Sequence, residues 1–153
     1  MVRKKIQLFV LVFLLFLPAF LFSQSNDVID GLLEEEKATY GKAVYMVLSA
    51  AEMISEDATA DEALSALEQA GWKVKMKAAE EPIQLGTYAY IVMRAFEIKG
   101  GIMYTLFPGP RYASRELGFK GYIKRNAGAY RTLSGREALR ILGRVLQNKG
   151  VQA

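Results

Sequence analysis

The sequence predicts a mainly α protein: one small helical domain of two to three helix-loop-helix pseudo-repeats, with short extended segments between them. Three observations lead there. Apolar residues recur at three- and four-residue spacing in several stretches, the period of a helix with one buried face. Two stretches open on capping-box spacings, Thr59 to Glu62 and Ser134 to Glu137. Three fourteen-residue windows, Ala38–Ala51, Ile83–Phe96 and Leu133–Leu146, also align without gaps. A chain of 153 residues has room for one modest domain plus processed ends.

In chain order, Arg3, Lys4 and Lys5 precede an uncharged apolar run from Ile6 to Phe22, followed by Ser23-Gln24-Ser25. A basic start, an apolar middle and small residues near a cut read as a secretory signal peptide over residues 1–25. The mature chain is then expected to begin at Gln24 or Asn26. The rival is an N-terminal membrane anchor, but the run has 17 residues with Pro18 inside it, short of the roughly 20 that span a bilayer. Residues 26–148 read as the helical domain and 149–153 as a C-terminal tail.

Within the domain, residues 26–31 form a polar lead-in. Leu32 to about Ile54 follow a helical pattern in which Ala43, Met46, Val47 and Ala50 share a face. A second helix runs from the Thr59 box to about Ala70, with Leu64 and Leu67 facing its core and Gly71 stopping it. Trp72 to Lys77 alternate apolar and basic, as a short half-exposed strand does. A third helix covers about Leu85–Ile98 and stops at Gly100-Gly101. Ile102–Phe107 reads as extended, Pro108-Gly109-Pro110 as a turn, and Arg111–Leu117 as a short helix. The last helix covers about Ser134–Asn148.

Composition removes several chemistries. The chain has no cysteine and no histidine, which excludes disulfides, Cys/His zinc sites, lipobox acylation, cysteine nucleophiles and Ser-His-Asp triads. Glu34-Glu35-Glu36 cannot converge on one ligand, because consecutive helical side chains point about 100° apart; they read as a solvated helix start. Glu80-Glu81 before Pro82 reads as exposed. No carboxylate pair is placed for glycoside hydrolysis, and no Ser-x-x-Lys or Gly-x-Ser-x-Gly spacing occurs. Gly100-Gly101 lacks the lysine of a phosphate loop. A protein that is not an enzyme is expected, with no catalytic residues, no metal and no cofactor.

Charge is distributed unevenly. Residues 26–81 hold 5 basic and 13 acidic side chains, whereas residues 82–153 hold 12 basic and 3 acidic. Beyond residue 25 the chain is thus almost neutral, so its high isoelectric point is no argument for nucleic acid. The asymmetry implies either two mutually attracting faces or a basic surface for an anionic partner.

The windows carry a resemblance. The first two share Gly41/Gly86, Tyr45/Tyr90, Val47/Val92 and Ala50/Ala95, with Glu52/Glu97 just beyond; the second and third share Ile91/Ile141 and Arg94/Arg144. Leu67/Leu117, Gly71/Gly121 and Trp72/Tyr122 continue the match upstream of the second and third. These windows resemble the S-layer homology (SLH) family, whose repeats carry a helix beginning Ile-Thr-Arg-Ala-Glu. Pro110-Arg111-Tyr112-Ala113-Ser-Arg-Glu116-Leu is similar to its short helix carrying Trp-Ala-x-x-x-Ile. Gly121-Tyr122 with Tyr130-Arg131 is similar to its Gly-Tyr connection. The resemblance covers about residues 38–146, best over 83–146. It implies a domain of up to three SLH-like repeats that holds exported proteins to cell-wall glycopolymers. The family's polymer-binding arginine is replaced by Tyr40, Leu85 and Gly135, and its acid remains only as Glu137.

The binding candidates come from aromatic and basic residues in the connecting segments. Aromatic faces stack on sugar C–H surfaces, and arginine forks hold carboxylate or phosphate. Arg111, Arg115, Tyr122, Tyr130, Arg131, Arg136 and Glu137 form the expected ligand-binding set, while Trp72 and Tyr112 are expected to pack. Arg94 and Arg144 are expected to lay their stems along the interior with the guanidinium on loop carbonyls or an acid. The expected function is an exported, structural, peptidoglycan-associated envelope protein of the periplasm or cell envelope, binding an acidic cell-wall polymer or an envelope assembly. The alternative is a periplasmic interaction subunit of a secretion, motility or outer-membrane machine. The expected partners are a cell-wall polymer or an envelope protein, with no nucleic acid, and with a membrane only through an uncleaved signal.

Overall fold

The computed structural model describes residues 23–152, with side-chain environments from Asp27 to Gly150. Most of the expected signal peptide therefore lies outside the described residues. Those described form seven helices: α1 (Ser23–Glu34), α2 (Tyr40–Ala50), α3 (Ala60–Gln69), α4 (Leu85–Ala95), α5 (Ile102–Leu106), α6 (Pro110–Phe119) and α7 (Gly135–Gln152). Among them there is no strand, only two isolated bridges, Thr39 with Pro82 and Gln84 with Thr132. The predicted class, a small and mainly helical domain, is the class observed.

The packing is carried mainly by α2 on α3 and α4 on α6, and then by α2 on α4 and α7 back on α1. The first helices of the two main pairs start alike. The leading N–H groups of a helix have no partner inside it, and the N-caps Thr39 and Gln84 offer no side-chain bond. Backbone carbonyls of the next connection serve instead. Tyr40 N–H donates to Glu81 O at 2.7 Å and Gly41 N–H to Ala79 O at 2.8 Å. At the matching positions Leu85 N–H donates to Arg131 O at 2.9 Å and Gly86 N–H to Ala129 O at 2.7 Å. Gly135 N–H closes the circle on Glu35 O at 3.0 Å. At the centre, the first residues of the three windows meet: Ile83 N–H donates to Ala38 O, and Ala38 N–H to Leu133 O. All three are buried, and Tyr40, Tyr88, Leu48, Ile91, Leu117 and Leu142 continue the core outward.

Close approach requires glycine at all three starts, a Cβ on Gly41 falling 2.9 Å from Ala79 Cβ. A Cβ on Gly86 would lie 2.9 Å from Pro110 O, and one on Gly135 would lie 1.6 Å from Leu32 O. The Gly135 position, where the SLH motif carries arginine, is thus filled by the backbone of α1.

Several local expectations change. Residues 26–31 are not a lead-in but part of α1, and the helix expected over Leu32–Ile54 breaks at Glu35–Thr39. The break is electrostatic and local. The Glu35 carboxylate accepts from Thr39 N–H at 2.7 Å, from the Thr39 hydroxyl at 3.2 Å and from Lys42 Nζ at 2.8 Å, so it caps α2 rather than continuing α1. Burial works against its ionisation, yet the Lys42 and Thr39 hydrogen bonds outweigh that and hold its pKa below the ordinary carboxylate value. Trp72–Lys75 keeps its alternation, with Trp72 and Val74 turned toward the core, but Met76 is exposed, and the segment has no neighbour to pair with and forms no strand. Ile102–Phe107 is helical rather than extended, because Thr105 and Phe107 close i→i−4 bonds and no strand edge competes. Helix α4 ends at Ala95, before Gly100, and α7 runs through Gln152, so residues 149–152 of the expected tail are helical. The Thr59–Glu62 capping box forms completely.

Candidate functional site

Helix α6 begins with Pro110 at its first turn, where a missing N–H costs nothing. That start sets Arg111 and Arg115 one turn apart on one exposed face. The connection leading to α7 passes in front of them. Together Arg111, Ser114, Arg115, Asn126, Ala129 and Tyr130 line an open cleft of about 600 Å³. No carboxylate lines it. Two guanidinium forks beside an exposed phenol ring suit an anionic, ring-bearing ligand. Three of the seven residues predicted for the site are therefore brought together.

The other four are not in that cleft. Arg131 and Glu137 grip each other, Nη2 to Oε1 at 2.5 Å and Nη1 to Oε2 at 2.8 Å. Glu137 raises the arginine's pKa by this bond, against a smaller opposing effect of burial. Glu137 N–H also donates to Ser134 Oγ at 3.3 Å, so the capping contact expected at the start of α7 is present on that side. The acid is occupied by structure. Arg136 is exposed on the same helix, outside the cleft. Tyr122 is half-buried against the core, and its carbonyl accepts from Arg144 Nη1 at 3.0 Å. Arg94 makes the matching reach, its guanidinium 5.8 Å from the Trp72 ring centroid. Both arginines thus return to the aromatic position of the preceding connection. Contrary to the expectation of an interior stem, both are exposed.

A larger depression lies at the opposite ends of the helices. It holds about 970 Å³ among Trp72, Arg94, Glu97, Lys99, Tyr104 and Lys149. A neighbour of about 330 Å³ shares Glu97, Lys99 and Lys149 and adds Lys120. The Tyr104 hydroxyl is buried in the structure with no hydrogen-bond partner among the described residues. Desolvation pushes its pKa up to about 12. The sequence places Lys149 in the tail; only the return of α7 brings it beside Phe96 and Lys99.

Comparison with protein-family models, curated proteins and solved structures found no match to this chain. Fold and clefts together define a small helical domain with a cation-rich second half.

Proposed function

We propose that this is an exported, non-enzymatic cell-envelope protein whose SLH-like helical domain binds an acidic cell-wall polymer. The carrying observation is the Arg111–Arg115–Tyr130 cleft, which gathers two guanidinium groups and an aromatic face with no acid lining it. Tyr40 and Leu85 are fully buried and Gly135 lies against Leu32. The positions of the family's arginine thus offer no groove, and the polymer is held by the α6 face instead. Export rests on the basic start and apolar run of residues 1–25. The experiment is co-sedimentation with purified peptidoglycan sacculi across a salt series. Salt-sensitive pelleting that drops about tenfold in Arg111→Ala/Arg115→Ala is expected; no association at low salt refutes the polymer. N-terminal sequencing of the envelope fraction is expected to begin at Gln24 or Asn26.

The loss of the arginine signature favours one second reading, a periplasmic interaction subunit of a secretion, motility or outer-membrane machine. Crosslinking that recovers one stoichiometric protein, with sacculi unbound, selects it.

A further inference from the structure

The two helix pairs α2/α3 and α4/α6 are joined by connections of different length, nine residues in the first and fourteen in the second. The five extra residues are the reason the windows align at one offset before this point and a longer one after it. The longer connection contains α5, and its composition is unlike a loop: Ile102-Met103-Tyr104-Thr105-Leu106-Phe107. Tyr104 alone of these is buried, against Tyr90, and it fixes the helix to the body. Ile102, Met103, Leu106 and Phe107 are 78%, 47%, 63% and 60% exposed. They sit at i, i+1, i+4 and i+5, so they form one stripe two side chains wide. A contiguous exposed apolar patch on an insertion into a repeat is a contact surface rather than leftover core.

The surroundings choose the partner. Lys99 precedes the stripe, Arg111 and Arg115 follow it, and all three are exposed. Phe119, also exposed, continues the Arg111–Arg115 face one turn on and carries Arg125 over its ring at 5.5 Å. Apolar tips flanked along the chain by Lys99, Arg111 and Arg115, with Glu116 the acid beside Gly101, match the layered chemistry of an anionic lipid bilayer, acyl chains beneath phosphate headgroups. We infer that α5 is a membrane-surface anchor that inserts Ile102, Met103, Leu106 and Phe107 into a bilayer of anionic glycerophospholipid. This contact is separate from the N-terminal run, and it departs from the expectation that any membrane contact passes through the signal alone. It does not rest on the polymer reading.

The absence of cysteine makes the test site-specific. The full chain carrying Leu106→Cys, labelled with a polarity-sensitive fluorophore, is mixed with phosphatidylglycerol-containing vesicles and with pure phosphatidylcholine vesicles. Phe107→Cys is a second reporter on the stripe, and Glu68→Cys on exposed α3 is the reference. The expected result is a several-fold rise in emission at 106 and 107, quenched by spin-labelled lipid, on the anionic vesicles and not at 68. Ile102→Ser/Phe107→Ser should weaken that response at 106 about tenfold or more. Vesicle binding with both stripe labels unchanged overturns the inference, because the N-terminal run then carries the contact; so does no binding. A rise without vesicles that grows with protein concentration also overturns it, showing a second copy on the stripe.

Discussion

Two glutamates end helices in a backbone conformation that glycine usually takes. Glu52 and Glu97, at φ 57° and 52°, follow α2 and α4 at matching window positions. There Met53 N–H returns to Leu48 O and Ile98 N–H to Met93 O, the closure of a Schellman turn. Left-handed backbone costs a residue with a Cβ on the order of 1 kcal/mol. Glu52→Gly and Glu97→Gly should therefore each stabilise by about 0.5–1 kcal/mol in urea unfolding. Gly71→Ala, at φ 65° after α3, should destabilise by a similar amount. Arg144 bonds the Tyr122 carbonyl from an exposed position, so Arg144→Ala should cost about 1 kcal/mol. Arg136→Ala should stay within about 0.5 kcal/mol. Equal, negligible losses at both would mean that the reach to the preceding connection holds nothing.

Helix starts are where the repeats are joined, and they respond to pH and to volume. Glu35 has a lowered pKa in the folded state. Its stabilisation is present above the unfolded carboxylate pKa and is lost as pH falls through the lower folded value. Glu35→Gln should remove that acid limb from a stability–pH curve while lowering stability at pH 7. If the wild-type and variant acid limbs coincide, Glu35 is not the group that titrates. Gly135→Ala should be among the costliest single changes, about 3 kcal/mol or more, because backbone rather than a side-chain tip must move away from the new Cβ. Circular dichroism melts of Gly135→Ala and Gly128→Ala, the latter with open space around it, make the comparison.

At the scale of the whole molecule, the ring closes only when the last helix reaches the first. Ala38 needs the Leu133 carbonyl, and Ile141, Leu142 and Val145 of α7 are buried beside α1 and α2. Burying three such side chains is worth roughly 5–9 kcal/mol, a large share of the 5–15 kcal/mol total expected of a domain. A chain ended at Thr132 should therefore lose its single cooperative melt, not merely fray at the end. Retention of a sharp transition would show two independently stable halves. The charge division has its own outcome. The exposed acids of α3 and the exposed cations of α6 belong to different pairs, so binding to anionic surfaces should fall with salt although residues 26–153 together are nearly neutral.

Periodicity, capping boxes and the three windows made the helical class, α3, α4 and α7 legible, because those signals are written in neighbouring residues. Local preference misled where a partner was needed: Trp72–Lys77 has strand alternation and Ile102–Phe107 strand composition, yet neither finds an edge to pair with. The break at Glu35 was hidden because its cause is a carboxylate turned onto the next helix start. Of the candidate cleft, Arg111, Arg115 and Tyr130 were readable as exposed binding types in connecting segments. The Arg131–Glu137 pair is local, six residues apart across the start of α7, and was hidden by the capping role that Glu137's spacing suggested; that Lys149 joins Trp72 and Arg94 across the ring depended on the closure of α7. Spacing along a chain sets which face of a helix a residue occupies; only packing between distant segments sets what that face meets.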